Sequence, residues 1–221
     1  DSQELVPLMS VDVQGEKGLD QTKLLAHLRE LEEEDPLLCV RAENGRVSVG
    51  IMGAVQIEVL RKAGANGFVI GCLNADGDLD ACAMEPLLKA AEGTGLTLHR
   101  CIDVSRDPCK TYLDAHALGF DTVLTSGAAS SCLLGMETIG RLLRQREEHQ
   151  GPEVLIGSGV NASAIAAFRA AYPQARAFHM SGKTEIESGM RFRREGVPMG
   201  LPGLDEWHIP QTSADDIRAA K

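Results

Sequence analysis

The sequence predicts an α/β protein of the (βα)8, TIM-barrel type, and three observations predict it. Six short apolar runs each break at their C-terminal edge into polar or glycine residues. Amphipathic helical segments lie between the runs, and strand follows strand at about 25–30 residues, the spacing that βαβ units require. Buried parallel strands read as near-continuous apolar runs, and in barrels of such strands the C-terminal ends carry the functional groups.

Taken in order, a first strand is expected near residues 3–8. A helix follows over 21–34, with Leu24, Leu25, Leu28 and Leu31 on one face, Asp20 as N-cap and Pro36 as stop. Leu37-Leu38-Cys39-Val40 is the next strand and leads into Arg41, before a helix over 50–63 that Gly64 ends. Gly67-Phe68-Val69-Ile70 leads into Gly71-Cys72, and Asp80 caps a helix over 81–91. Leu96-Thr97-Leu98 leads into His99-Arg100-Cys101-Ile102-Asp103, and Asp107-Pro108 opens a helix over 108–118 closed by Gly119. Thr122-Val123-Leu124 leads into Thr125-Ser126-Gly127, with a helix over 135–148. Val154-Leu155-Ile156 leads into Gly157-Ser158-Gly159, with a helix over 161–171. Ala177-Phe178 leads into His179-Met180-Ser181-Gly182, and a loop and a short helix over 213–220 close the chain. That makes seven strand candidates rather than eight.

The 221 residues suit one barrel domain over 1–221, and 43% hydrophobic residues suffice for its core. A formal charge of −10 opposes nucleic acid and anionic membranes as partners. Six cysteines at 39, 72, 82, 101, 109 and 132 form no CxxC pair, which points to reduced thiols and a cytoplasmic setting. No segment has the length or flanks of a membrane span or a signal peptide. The chain opens at Asp1 rather than Met, so processing of the N-terminus is an open expectation.

The groups at the strand ends support two chemistries. As a metal site, Cys39, Cys72, Cys101, His99 and His179 supply the soft thiolate and imidazole ligands that suit Cu(I) or Zn(II). Buried cysteine is also an ordinary core residue. As an enzyme, His99 or Glu4 is a candidate acid or base, with Arg41, Arg100 and Lys183 holding an anionic substrate. The glycine loops Gly157-Ser158-Gly159 and Ser181-Gly182 fall where barrels often cradle phosphate, although plain tight turns use the same residues. Strand alternation sets His99 on one face with Thr97 and Cys101, and His179 on one face with Ser181.

The segments GANGFVIGCLNADGDLD (64–80), LTLHRCIDVSRDP (96–108), FDTVLTSG (120–127), VLIGSGV (154–160) and FHMSGKTEIESGMRFR (178–193) resemble the CutC family, in order. The resemblance implies a single (βα)8 barrel and a role in copper homeostasis, with copper binding through cysteines. It implies that this chain begins at the family's second strand, with Glu4 matching the family glutamate there and Val6 where a cysteine is common. The segment VRAENGRV (40–47) keeps Arg41 of a longer arginine–glycine motif, Gly157-Ser158-Gly159 replaces a glycine triplet, and Gly182-Lys183 stands where an arginine often follows Ser181. The retained residues Glu4, Arg41, His99, Arg100, Asp103, Thr125, Ser126, His179 and Ser181 suit a pocket for a small anion or sugar phosphate equally well. Copper homeostasis, an enzyme acting on an anionic metabolite, and a subunit that closes only against a partner are therefore the expected classes, with homo-oligomerisation open.

Overall fold

The computed structural model describes residues 9–12, 39–43, 46–51, 53–194, 196–197 and 207–221. Its centre is a parallel sheet of five strands in sequential order: β4 (Gly67–Ile70), β5 (Gly95–Leu98), β6 (Thr122–Thr125), β7 (Glu153–Ile156) and β8 (Ala177–Phe178). Between them run α2 (Ala81–Ala90), α3 (Pro108–Ala117), α4 (Met136–His149) and α5 (Ala162–Ala171), while α1 (Ala54–Lys62) precedes β4. The repeated βα unit makes this an α/β architecture of the TIM-barrel type.

Each unit begins and ends as its sequence dictates. Asp80 accepts a hydrogen bond from the Ala83 amide at 3.0 Å, and Asp107 accepts from the Cys109 and Lys110 amides, so both helices start on capping carboxylates. Strand alternation sends Phe68, Ile70, Leu98, Val123, Val154 and Ile156 to the helix-covered face, where all are buried. They pack with Ile57, Leu60, Met84, Tyr112, Leu142 and Phe168 from the helices. The alternate positions Val69, Thr97, Leu124 and Leu155 are half-buried on the other face. The β6 and β5 starts are tied together by Asp121, whose carboxylate accepts from the Leu96 amide at 2.8 Å.

Before β4 the chain departs from expectation. β1 (Met9–Asp12), β2 (Cys39–Glu43) and β3 (Arg46–Ile51) form an antiparallel sheet in the order β1-β3-β2, with β1 lying beside β4. The run at 37–40 was expected to feed a parallel strand, but Glu43 pairs with Arg46 and only Asn44-Gly45 separates the two strands. A parallel crossover needs a dozen residues or more, so this spacing fixes a hairpin. The helix expected from residue 50 accordingly starts at Ala54, after β3. The expected strand at 3–8 and helix at 21–34 lie outside the described residues.

After β8 the chain forms a second antiparallel pair, β9 (Lys183–Glu187) with β10 (His208–Thr212), and ends in α6 (Ala214–Ala219). No strand is expected from the sequence here, because neither segment carries an apolar run. No helix among the described residues is long and apolar enough to cross a membrane.

Candidate functional site

β5 stops at Leu98, and the chain turns directly into a single 3-10 turn over Arg100–Val104 with His99 as its cap. The expected face shared by Thr97, His99 and Cys101 is therefore broken, because strand alternation ends one residue before His99. The His99 Nδ1 accepts the Cys101 amide at 3.1 Å. This atom must be unprotonated, so the neutral ring carries its proton on Nε2. Burial is the leading influence on the ring and lowers its pKa from the ordinary 6.5. His99 is thus a neutral imidazole whose Nδ1 is already engaged, and Nδ1 cannot serve as a base without breaking the cap.

Asp103 anchors the ends of β5 and β6 together. Its Oδ1 accepts from the Thr125 hydroxyl (2.6 Å), the Ser126 amide (3.0 Å) and the Ala128 amide (3.1 Å). Its Oδ2 accepts from Arg100 Nε at 2.7 Å and from the Ser126 hydroxyl at 2.9 Å. Burial opposes ionisation, but the hydrogen bonds from Thr125, Arg100, Ala128 and Ser126 outweigh it and leave the pKa below its ordinary 3.8. The carboxylate is an internal anion in a ring of donors, so it is neither a proton donor nor an open ligand group. Thr125 and Ser126 are fully buried in this contact. Arg100 is different: its side chain remains 47% exposed, Nη2 reaches the Ser126 hydroxyl at 2.8 Å, and Nη1 has no partner among the described residues.

Cys101 and Cys72 are neighbours just past the end of β4. A Cβ placed on Gly71 would sit 2.6 Å from the Cys101 sulfur and 3.0 Å from His99 Cε1. Burial first, and the neighbouring Cys72 second, push the Cys101 thiol up to about 12. Burial and then Asp80 raise Cys72 as well. Both are protonated thiols at neutral pH. Among the described residues no three His, Cys, Asp or Glu side chains gather in a group able to hold a metal ion.

The ends of β7 and β8 enclose a cavity of about 470 Å³, lined by Gly159–Ser163, Met180–Lys183, Asp216 and Ala219. The Asn161 side chain caps α5 by accepting from the Ala164 amide at 2.9 Å and from the Ser163 hydroxyl at 2.7 Å. The first amides of α5, at Ala162 and Ser163, have no acceptor within the helix and carry its positive dipole end. Lys183 is exposed at the cavity and makes no ion pair among the described residues, while Asp216 adds one negative charge. The turn before the helix is tightly held. Ser158 has φ 71° and Gly159 φ 73°, the Ser158 hydroxyl donates to Ser130 O at 3.0 Å, and the Cys132 amide donates to Ser158 O at 2.9 Å.

Of the residues singled out in the sequence, the structure brings together His99, Arg100, Cys101, Asp103, Thr125 and Ser126 at the ends of β5 and β6. It brings Gly159, Ser181 and Lys183 together at the cavity, with Gly157 and Ser158 in the turn before it. His179 is exposed beyond β8. Arg41 and Cys39 are placed on β2 in the antiparallel sheet, and Glu4 lies outside the described residues. Asn161, Ser163 and Asp216 line the cavity without having been singled out. The signal for Asn161 was present, since an asparagine just before an apolar helical segment is a strong N-cap.

Comparison with known proteins gives a single direction. A model of the CutC family matches residues 48–184. A family protein CutC of Chromobacterium violaceum is 38% identical over 169 residues, 76% of this chain and 67% of that protein. One from Porphyromonas gingivalis is 40% identical over 165 residues, 74% of this chain and 65% of its own length. One from Xanthomonas campestris pv. campestris is 42% identical over 148 residues, 64% of this chain and 60% of its own length. The chain thus spans 60% to 67% of the length of these curated relatives. Among solved structures, a CutC protein from Streptococcus agalactiae, named for copper homeostasis, aligns with a TM-score of 0.52 at 24% identity, over 57% of this chain and 60% of that one. A likeness at that identity bears on the fold.

Proposed function

The chain belongs to the CutC family, and from that premise we propose that it binds a small anionic metabolite, bearing phosphate or carboxylate, at the C-terminal ends of its parallel strands. The observation that carries this reading is the cavity at the start of α5. It combines helix-terminal amides, a hydroxyl from Ser181 and the exposed ammonium of Lys183, which makes no ion pair among the described residues. Helix N-termini of this kind favour anions. The half-exposed guanidinium of Arg100, held by Asp103 and with no partner for Nη1 among the described residues, is a second cationic group at the strand ends. Asp216 offsets part of the positive charge, which suits a ligand with a hydroxyl or amino group beside its anion.

Copper binding is the second reading, favoured by the closeness of Cys101 to Gly71-Cys72 and by the name that relatives carry. Here copper is cargo. The thiols must first give up protons that burial holds on them, so binding through them weakens as pH falls.

One experiment separates the two. The reduced protein is titrated anaerobically with inorganic phosphate and small phosphorylated sugars, and separately with Cu(I) against a chelator. Under the anion reading, phosphate compounds bind and raise the melting temperature, and Lys183→Gln weakens them about tenfold, the loss of one charged hydrogen bond. No binding in the millimolar range by any of them sinks that reading. Stoichiometric Cu(I) uptake that Cys101→Ser abolishes would replace it with the second.

A further inference from the structure

Every residue of β9 and β10 is exposed, on a ribbon of only two strands. Such a ribbon, open to water on both faces, is marginal by itself. The ladder shows which of its edges is free to gain another strand. The Ser188 amide donates to Trp207 O and the Ser213 amide donates to Gly182 O. Hydrogen-bonded pairs recur at every second residue, so Ile186–Ile209 and Thr184–Gln211 turn their backbone groups toward each other. The pairs between them are Lys183–Thr212, Glu185–Pro210 and Glu187–His208, and their N–H and C=O groups face outward. On β10 the middle outward position is Pro210, which has no N–H, so that edge is closed to a further strand. On β9 the outward groups of Lys183, Glu185 and Glu187 are intact, and no other strand among the described residues pairs with them.

We propose that β9 pairs antiparallel with β9 of a second copy of this chain, about a two-fold axis at Thr184. A regular ladder must match outward groups with outward groups, so within this strand the axis falls at Thr184, Glu185 or Ile186. At Glu185 it sets Lys183 opposite Glu187 of the second copy, but Glu187 is already paired with Arg193 at 2.7 Å and the two Glu185 side chains oppose each other at the axis. At Ile186 it opposes Glu185 to Glu187 of the second copy. At Thr184 it sets Lys183 opposite Glu185 of the second copy, twice, on one face of the sheet. Opposite charges in directly facing positions stabilise a strand pair, and like charges destabilise it. The charges that deter a foreign strand from this edge therefore suit its own antiparallel image. The other face carries Ile186 beside Ile209, with 39% and 48% of their surfaces exposed, and there Thr184 faces its own counterpart while Ile186 faces Gly182 of the second copy. The interaction is isologous and closes at two copies.

The test is sedimentation equilibrium of the whole chain, which reads mass and is therefore independent of whether any anion binds near Lys183. The wild type is expected at twice the chain mass at high micromolar concentration. Lys183→Glu alone and Glu185→Lys alone each place like charges opposite one another and are expected to be monomeric. Their equimolar mixture is expected to recover the doubled mass, because every facing pair is then complementary. Glu185→Pro supplies a second route: opposite Pro210 it spares the ribbon's own ladder, removes the outward donor, and is expected to be monomeric. A monomeric wild type, a mixture that stays monomeric, or a doubled mass that survives Glu185→Pro overturns the proposal.

Discussion

Asp103 shows how far a single residue's role is set by the partners that the fold brings to it. A carboxylate beside a histidine and an arginine at a strand end reads as a catalytic group in the sequence. In the structure it accepts hydrogen bonds from two hydroxyls, two amides and a guanidinium, and its side chain is 6% exposed. What it does is hold Arg100 and the loop after β6 in fixed positions. Asp103→Asn keeps the shape, removes the charge and turns one acceptor into a donor facing donors. It is expected to lower stability by about 2–3 kcal/mol, the scale of one or two charged hydrogen bonds, read as a fall in the urea midpoint. An unchanged midpoint would show that the network is dispensable. A structural network of His99, Arg100 and Asp103 at the rim was a readable alternative, but its partners Thr125, Ser126 and Ala128 were not, because they lie more than twenty residues away along the chain.

At the scale of elements, the helices were largely legible and the antiparallel strands were not. The helix expected over 81–91 is Ala81–Ala90, and that over 108–118 is Pro108–Ala117, because Asp80 and Asp107 are unambiguous caps. The hairpin of β2 and β3 had a sequence signal, since Asn44-Gly45 between two strand-like stretches is the strongest short hairpin cue. That cue was overridden by the apolar run at 37–40, which fits a parallel strand equally well. β9 and β10 were invisible because their exposure on both faces removes any hydrophobic period. The loop between β6 and α4 adds a constraint that only coordinates reveal. A Cβ on Gly135 would lie 2.0 Å from Ser126 O, and one on Gly127 would lie 2.3 Å from Gly135 O, so two backbone stretches touch where any side chain would separate them. Gly135→Ala is expected to cost about 2–3 kcal/mol by overpacking and to speed amide exchange in residues 126–134. Exchange at the wild-type rate would contradict this.

For the molecule as a whole, His99 and Asp103 both tie stability to pH in the same direction. A histidine whose protonation folding disfavours takes up its proton on unfolding, so its contribution is complete above its ordinary 6.5 and is lost as pH falls toward the lower folded value. A carboxylate that folding holds ionised contributes fully above its ordinary 3.8 and loses that contribution as pH falls through its lower folded value. Stability is therefore expected to decline in two stages on acidification, measured as the urea midpoint at a series of pH values. His99→Gln, which cannot titrate, should remove the upper stage and leave the lower. The TIM-type architecture behind these groups was readable from the repeat of strand and helix alone. The division of labour at the strand ends was not, because it depends on which donors Asp103 engages across the chain.

The ribbon also gives the protein an optical consequence. Trp207 is its only tryptophan, stands just before β10, and lies beneath the Arg193 guanidinium with 4.8 Å from that carbon to the ring centroid. A cation so close to the indole face perturbs its excited state, and the Ser188 amide ties the same residue to the end of β9. All tryptophan emission from this molecule therefore originates at one end of one hairpin. Fluorescence excited in indole alone reports on the ribbon, and a change at the ends of the parallel strands is visible in it only if the two regions are mechanically connected.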